Sequence, residues 1–138
     1  MKQIEMFTDG ACLGNPGPAA WCAILRYNGH ERVVTGSTPE TFTNNRAELM
    51  AIIDGLKALK EPCAVIIYSD SQYVVKGINE WDLMYSTRKN QDLWDVIAEL
   101  YLKHDVTIQW VRGHNGHPEN ERCNAIAEKM LYSIEINP

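Results

Sequence analysis

With 138 residues, 45% of them hydrophobic, the chain is long enough to bury the core of one domain, and we expect residues 1–138 to form a single domain. No apolar segment reaches the length of a membrane span and the N-terminus lacks the layout of a signal peptide, so a cytoplasmic protein is expected. The net charge of −5 argues against strong non-specific binding to nucleic acid, which depends on many Lys and Arg contacts. It does not exclude a nucleic-acid enzyme whose carboxylates bind metal.

The four cysteines are scattered along the chain without a C-x-x-C pair and without the spacing of a zinc site. They are Cys12, Cys22, Cys63 and Cys123. We therefore expect reduced, partly buried thiols rather than disulfides or zinc ligands.

The first predicted strand stops at Asp9 and is followed by a loop at residues 10–18 that is rich in glycine and proline. Residues 21–27 and 31–37 are predicted to be strands, because the Asn-Gly pair between them is a strong hairpin signal. Three consecutive antiparallel strands are therefore expected. The loop is typical of a simple turn, but beside a carboxylate its small residues would also let a polymer backbone approach closely.

A helix is predicted to begin after Thr43, a suitable N-cap, and to end at residues 61–62, where a proline follows a glutamate. Its apolar side chains recur at helical spacing and comprise Leu49, Ile52, Ile53, Leu56 and Leu59. Glu48 lies at the rim of this arc, and two hypotheses remain open for it. It is either a solvent-exposed carboxylate in the first turn, favoured by the helix dipole, or a carboxylate that faces the sheet edge together with Asn44 and Asn45.

The apolar run at residues 65–68 is too short for a helix and predicts a strand buried on both faces. It leads to Asp70, just as the first strand leads to Asp9. Open α/β sheets usually carry their chemistry at the carboxyl ends of the strands. If the two strands are neighbours, their ends bring two carboxylates to one point, which is the outline of a metal site.

The rest of the chain alternates between helices and a strand. We predict a short helix at 72–78, an irregular connection at 80–91, a helix at 92–103, a strand at 106–111 and a final helix from Pro118. The buried side of the helix at 92–103 is expected to comprise Leu93, Trp94, Ile97, Leu100 and Tyr101. Asn124 is at the rim of the apolar arc of the final helix and could face a shared site. The order of elements predicts an α/β fold with a mixed sheet, in which strands one, four and five are parallel and helices flank the sheet.

Five motifs, present together and in order, resemble the type 1 ribonuclease H family of the bacterial kind, the ribonuclease HI family. They are Thr8-Asp9-Gly10, Gly14-Asn15-Pro16-Gly17, the run Thr-Asn-Asn-Arg-Ala-Glu-Leu at 43–49, the run Ser-Asp-Ser-Gln-Tyr-Val at 69–74, and Gly113-His114-x-Gly116-His117-Pro118-x-Asn120-Glu121. Each motif alone is weak evidence, whereas the set is specific and covers essentially the whole chain. The resemblance implies the ribonuclease H-like fold, with three antiparallel strands followed by two parallel ones.

The resemblance further implies sequence-nonspecific hydrolysis of the RNA strand of RNA–DNA hybrids with two Mg²⁺ ions, for which Mn²⁺ could substitute. Two divalent ions about 4 Å apart can activate the attacking water and stabilise the leaving oxygen. The implied ligands are Asp9, which would bridge the two ions, together with Glu48 and Asp70. His114 resembles the mobile loop histidine of the family, which helps to move protons or to release product. His114 and His117 would also suit a zinc pair, but no second pair lies nearby in the sequence.

Substrate contacts are implied by the same resemblance. The residues that match minor-groove contacts are Cys12, Asn15, Asn44, Asn45 and Gln72, and Thr43 resembles part of a pocket for a DNA phosphate. Amide side chains in the minor groove can bind base edges and the 2′-hydroxyl, which distinguishes RNA from DNA. Trp81 and the segment after it are expected along the DNA strand.

The chain departs from the family at two places. Many bacterial members carry a Lys- and Arg-rich protrusion, whereas residues 80–91 are too short for it and contain only Arg88 and Lys89 as cations. The fourth carboxylate of the family, an aspartate early in the last helix, is replaced by Asn124. An amide oxygen can bind Mg²⁺ but carries no charge. Asn124 is therefore either a natural variant with weakened metal binding or an introduced substitution, and the sequence leaves both open.

Two alternatives to a hybrid endoribonuclease remain open. One is a DNA nuclease or integrase-type catalytic domain of the same superfold, since fold alone does not determine function. The other is a hybrid-binding module that no longer cuts, which Asn124 supports. Retention of Asp9, Glu48 and Asp70 favours an enzyme. The expected partner is the hybrid duplex, bound by a monomer without an obligate protein partner.

Overall fold

A computed structural model describes residues 1–80, 89–112 and 117–136, and five strands in this part of the chain form one mixed sheet. The strands are β1 Lys2–Cys12, β2 Gly17–Tyr27, β3 His30–Phe42, β4 Cys63–Ser69 and β5 Asp105–Trp110. Their order across the sheet is β3-β2-β1-β4-β5. The strands β1, β2 and β3 pair antiparallel, while β4 pairs parallel with both β1 and β5. The predicted mixed sheet is thus confirmed.

Helices pack on both faces of the sheet. Their bounds are α1 Asn44–Lys57, α2 Gln72–Asn79, α3 Gln91–Lys103 and α4 Pro118–Ile136. Alternate residues of a strand point to opposite faces. Accordingly Ile4 and Met6 of β1 join the main core with α1, α2 and α3, whereas Phe7 packs against α4 with Cys123. Within the described residues, no helix is long and apolar enough to cross a membrane.

The helix α1 begins where the sequence predicted but ends earlier than predicted. The Thr43 side chain accepts a hydrogen bond from the backbone N–H of Arg46, as expected of an N-cap. The helix ends at Lys57 rather than near the proline at position 62. The N–H of Ala58 donates to the carbonyls of residues 54–56 and the N–H of Leu59 donates to Leu56, so the last turn tightens before the proline is reached.

Three further expectations needed correction. The strand β3 extends to Phe42 instead of ending near position 37, because its pairing with β2 continues and a proline is tolerated on an edge strand. The predicted burial of both faces of β4 is wrong at Ile66, which is 42% exposed, since α4 packs mainly over β1 and β2. Tyr101 is 37% exposed rather than buried, and its hydroxyl donates to the carbonyl of Val106.

Candidate active site

Three carboxylates from separate elements meet at one end of the sheet. Asp9 is on β1, Glu48 is on α1, and Asp70 directly follows β4. Each offers an oxygen, and these oxygens all lie within 4.8 Å of one another. The last pair of residues in the β1–β4 ladder joins Phe7 and Tyr68, so Asp9 and Asp70 follow it at the same offset of two residues. Parallel pairing therefore brings both aspartates to the same level of the sheet.

Glu48 reaches this point because α1 crosses very close to β1. A Cβ atom at Gly10 would lie 2.4 Å from the backbone carbon of Ala47, so only glycine permits this approach. The N–H of Gly10 donates to Glu48 Oε1 at 2.7 Å. Glu48 is 7% exposed and Asp9 is 5% exposed. Of the two hypotheses for Glu48, the solvent-exposed one is wrong, and the side chain faces the sheet end.

The electrostatics of this cluster fit a bound cation. Burial raises the pKa of Glu48 well above its ordinary value, and the charges of Asp9 and Asp70 raise it further, while the Gly10 N–H opposes the shift. Glu48 Oε2 is buried without a hydrogen-bond partner among the described residues. A divalent cation would satisfy that oxygen and remove the repulsion between the carboxylates. Oxygen donors of this kind suit a hard ion such as Mg²⁺.

Asp70 is held by the turn that joins β4 to α2. The N–H of Ser71 donates to the Ser69 hydroxyl, and the Ser71 hydroxyl accepts from Val74 as the N-cap of α2. On the β5 side, Trp110 Nε1 donates to the Asp70 carbonyl at 3.3 Å. The backbone around Asp70 is therefore fixed from both neighbouring segments.

Comparison with known proteins identifies the family. A sequence model of the RNase H family matches residues 1–132. The chain belongs to the RNase H family. It is 49% identical to the ribonuclease H of Cupriavidus metallidurans, covering 97% of this chain and 99% of that protein. It is 50% identical to the ribonuclease H of Erythrobacter litoralis, covering 94% and 96%. The resemblance inferred from the five motifs is confirmed.

Solved structures of RNase H proteins share the fold. LC9-RNase H1, described as a type 1 RNase H with the type 2 active-site motif, superimposes with a TM-score of 0.81 at 30% identity, covering 94% of this chain and 72% of that one. LC11-RNase H1, solved in complex with an RNA/DNA hybrid, gives a TM-score of 0.72 at 19% identity, covering 91% of this chain and 94% of that one. At that identity the second comparison concerns the fold alone.

The structure describes Asn124 but not the other two residues predicted to act in catalysis or along the DNA strand, His114 and Trp81. Asn124 is half-buried on α4, next to Cys123, whose thiol donates to the carbonyl of Phe7 at 3.1 Å. The helix is thus fixed to β1 two residues before Asp9, and metal binding by Asn124 stays a prediction. His114 lies outside the described residues, as does Trp81.

The predicted substrate contacts cluster around the start of α1. Asn15 Oδ1 accepts from the N–H of Asn44 at 3.0 Å, so the loop after β1 is tied to the first residue of the helix. The side chains of Asn15, Asn44 and Asn45 are exposed, and Cys12 is half-buried near the Phe42 carbonyl. The remaining predicted contacts are Thr43, which is exposed before α1, and Gln72, which is exposed at the start of α2. These six residues, called the polar rim below, lie on or next to the elements that carry Asp9, Glu48 and Asp70.

The sequence did not reveal the hydrogen bonds by which Arg46 holds the start of α1. Arg46 makes two hydrogen bonds to the Asp92 carboxylate, at 3.0 and 2.8 Å, and a third to Asn90 Oδ1. Its guanidinium also lies over the Phe42 ring. Arg46 therefore joins the start of α1 to the start of α3. The arginine belongs to the matched motif, but nothing in the sequence identified its partners more than forty positions away.

Proposed function

We propose that this chain is an endoribonuclease that hydrolyses the RNA strand of RNA–DNA hybrids without sequence specificity, with two Mg²⁺ ions held by Asp9, Glu48 and Asp70. The observation that carries the proposal is the buried carboxylate cluster, whose oxygens could hold a divalent cation, in a chain of the RNase H family. Asp9, on β1, would hold the ions together with Glu48 from α1 and Asp70 from the end of β4. Asn124 would supply a neutral fourth ligand.

Different residues of the chain would have different roles in the reaction. Divalent ions, when bound, would lower the pKa of the attacking water and stabilise the leaving oxygen. The Gly10 N–H donates to Glu48 Oε1, and Glu48 Oε2, which has no hydrogen-bond partner among the described residues, would be available to hold an ion. Thr43 and the exposed amides of the polar rim would orient the hybrid, and His114 would move a proton or help product to leave. Holding the phosphodiester in line with the carboxylates supplies much of the catalysis in such a site.

Recognition of a hybrid is supported by the chemistry of the polar rim. Amide groups both donate and accept, so they can bind base edges and the 2′-hydroxyl across a shallow minor groove. Asn15, Asn44, Asn45 and Gln72 supply exposed groups of this kind on the segments that carry the carboxylates. A related fold, LC11-RNase H1, has been solved with an RNA/DNA hybrid. We infer that the polar rim of this chain receives its substrate.

One gel tests the proposal and its alternatives. End-labelled RNA–DNA hybrid, RNA–RNA and DNA–DNA duplexes are incubated with the protein and Mg²⁺, Mn²⁺ or chelator. We expect cleavage of the RNA strand of the hybrid alone, in either metal and not in chelator. Cleavage of DNA–DNA would favour a DNA nuclease or integrase-type domain instead. Binding of the hybrid without cleavage in any metal would favour the non-cutting module, which the neutral Asn124 supports.

Asn124→Asp should raise the turnover of the enzyme at limiting Mg²⁺, because a carboxylate restores a charged ligand where an amide binds the ion weakly. The measurement is the initial cleavage rate across a Mg²⁺ titration, for the native chain and the variant. The two rates should converge as Mg²⁺ approaches saturation. No gain at any Mg²⁺ concentration would show that position 124 does not act through the metal.

Binding of the hybrid should depend only weakly on salt. The net charge is −5, and residues 80–91 offer only Arg88 and Lys89 where many bacterial relatives have a basic protrusion. Fewer phosphate contacts release fewer counterions, so the slope of log affinity against log salt is shallow. The slope is measured by fluorescence anisotropy with a labelled hybrid in Ca²⁺. A slope as steep as that of a strongly basic binder, about −6 or beyond, would refute this expectation.

We further propose that the protein acts as a cytoplasmic monomer and that residues 1–138 serve as one RNase H domain, with Mn²⁺ as a substitute metal. The four cysteines are free, as expected from their spacing, and three of them are buried. Free thiols are the rule in a reducing compartment. Sedimentation of the purified chain, alone and with hybrid, tests the monomeric state.

A further inference from the structure

Asn120, which the proposed mechanism does not use, lies beneath the carboxylate cluster. It is in the first turn of α4 and is 9% exposed. Its Nδ2 donates to the carbonyl of Thr8 at 3.2 Å and to the carbonyl of Tyr68 at 3.0 Å. Backbone carbonyls can only accept, so the orientation of this amide is fixed by the chemistry of its partners.

The two carbonyls belong to the strands that carry the aspartates. Thr8 directly precedes Asp9, and Tyr68 is two residues before Asp70. The backbone ladder between β1 and β4 ends at the Phe7–Tyr68 pair. At the end of this ladder, the Asn120 side chain adds a bridge between Thr8 of β1 and Tyr68 of β4. One amide group thus joins the two segments from which the aspartates project.

Neighbouring contacts hold this bridge in place. The His117 ring stacks on Tyr68 with a centroid distance of 5.2 Å, and Tyr68 stacks on Phe7 at 5.1 Å. One turn further along α4, the Cys123 thiol donates to the carbonyl of Phe7. The start of α4 is therefore anchored to β1 and β4 immediately before the aspartates. A buried donor that binds a carbonyl on each strand constrains how far apart the two strands lie at this point.

We propose that Asn120 is a positioning residue that sets the separation of Asp9 and Asp70 and thereby the affinity of the site for divalent metal. It contacts neither substrate nor metal and acts through the carbonyls of Thr8 and Tyr68. The inference rests on the metal site proposed above. Partners that orient the ligands of a metal change its affinity by about 10- to 100-fold when they are removed.

The test compares Asn120→Ala and Asn120→Asp with a matched control on the same strand. His104 Nδ1 accepts a hydrogen bond from the N–H of Cys63, at the opposite end of β4 from Asp70. His104→Phe therefore removes a hydrogen bond to β4 far from the carboxylates. Calorimetric titration of each metal-free protein with Mg²⁺, well below its unfolding temperature, gives the affinity without any cleavage assay.

We expect Asn120→Ala to weaken Mg²⁺ binding about tenfold and to lower kcat while KM for the hybrid changes little. Asn120→Asp should be at least as weak, because its oxygens would face two carbonyl oxygens. His104→Phe should keep the native Mg²⁺ affinity. If both Asn120 variants are destabilised but bind Mg²⁺ as the native chain does, the role is merely structural and the proposal is overturned.

A measurement on the native protein decides the matter even if the variants do not fold. The side-chain amide resonances of Asn120 should move when Mg²⁺ is added, whereas those of Asn79, which is exposed at the end of α2, should not. Unmoved Asn120 resonances during a titration that saturates the site would overturn the positioning role alone. A native chain that binds no Mg²⁺ would overturn the metal site and this inference together, so the two failures are distinguishable.

Discussion

Asp9→Asn should lower the rate of hybrid cleavage at least about a hundredfold at neutral pH and saturating Mg²⁺, because the proposed metal site loses a charged ligand. Asp9 is buried, and among the described residues the acidic group that could hold an ion comprises only Asp9, Glu48 and Asp70. The variant should still fold, because removing one buried carboxylate reduces the electrostatic repulsion within the metal-free cluster. The measurements are single-turnover cleavage of a labelled hybrid and thermal unfolding in chelator.

The matched control is Asp105→Asn, which removes an exposed carboxylate at the other end of the sheet. That variant should cleave at the native rate. If Asp9→Asn retained more than a tenth of native activity while Asp105→Asn was unaffected, the carboxylate cluster would not be the catalytic centre. A loss in both variants would point to general destabilisation instead.

The cleavage rate should fall as the pH drops, and excess Mg²⁺ should partly restore it. Burial and the charges of Asp9 and Asp70 raise the pKa of Glu48, so this carboxyl group takes up a proton at a higher pH than an ordinary glutamate. Protons and metal compete for the same oxygen. Below that pKa, the Mg²⁺ concentration for half-maximal rate should rise about tenfold for each pH unit. A flat pH–rate profile down to pH 5 would contradict this expectation.

The same pKa shift sets the sign of the pH dependence of stability without metal. The folded protein holds the Glu48 proton more tightly than the unfolded chain does, so the stabilising effect of that proton is present at low pH. It is lost as the pH rises from the ordinary pKa of 4.5 through the raised one. Glu48→Gln, which cannot titrate, should remove this decline in chelator. An equal decline in native and variant unfolding curves would assign it to other groups.

Much of the site could be predicted from the ends of the strands. Asp9 and Asp70 each follow an apolar run, and parallel pairing of β1 with β4 places them at one level. The sequence could not decide between the two hypotheses for Glu48, because helical periodicity shows which arc a residue occupies but not how closely the helix approaches a strand. That distance depends on Gly10, whose missing side chain admits α1. The sequence contains this glycine, but it does not show that Gly10 packs against the backbone of Ala47.

The parts that could not be predicted depend on contacts between distant segments. Asn120 was noted only as a motif match, since hydrogen bonds to the carbonyls of Thr8 and Tyr68 leave no pattern in the sequence. Arg46 and Asp92 are similarly remote from each other. The exposure of Ile66 depends on where α4 packs, and an apolar run alone does not reveal which face of a strand stays uncovered.

The three carboxylates come from a strand, a helix and the residue after a second strand, so a divalent ion held by all three would bind only the completely folded chain. A fragment lacking any one of these elements lacks a carboxylate, so partly folded chains would bind the ion poorly. Such an ion would stabilise the folded molecule by about 1.4 kcal/mol for each tenfold excess of free ion over Kd. The concentration of free divalent metal would then affect resistance to proteolysis as well as turnover.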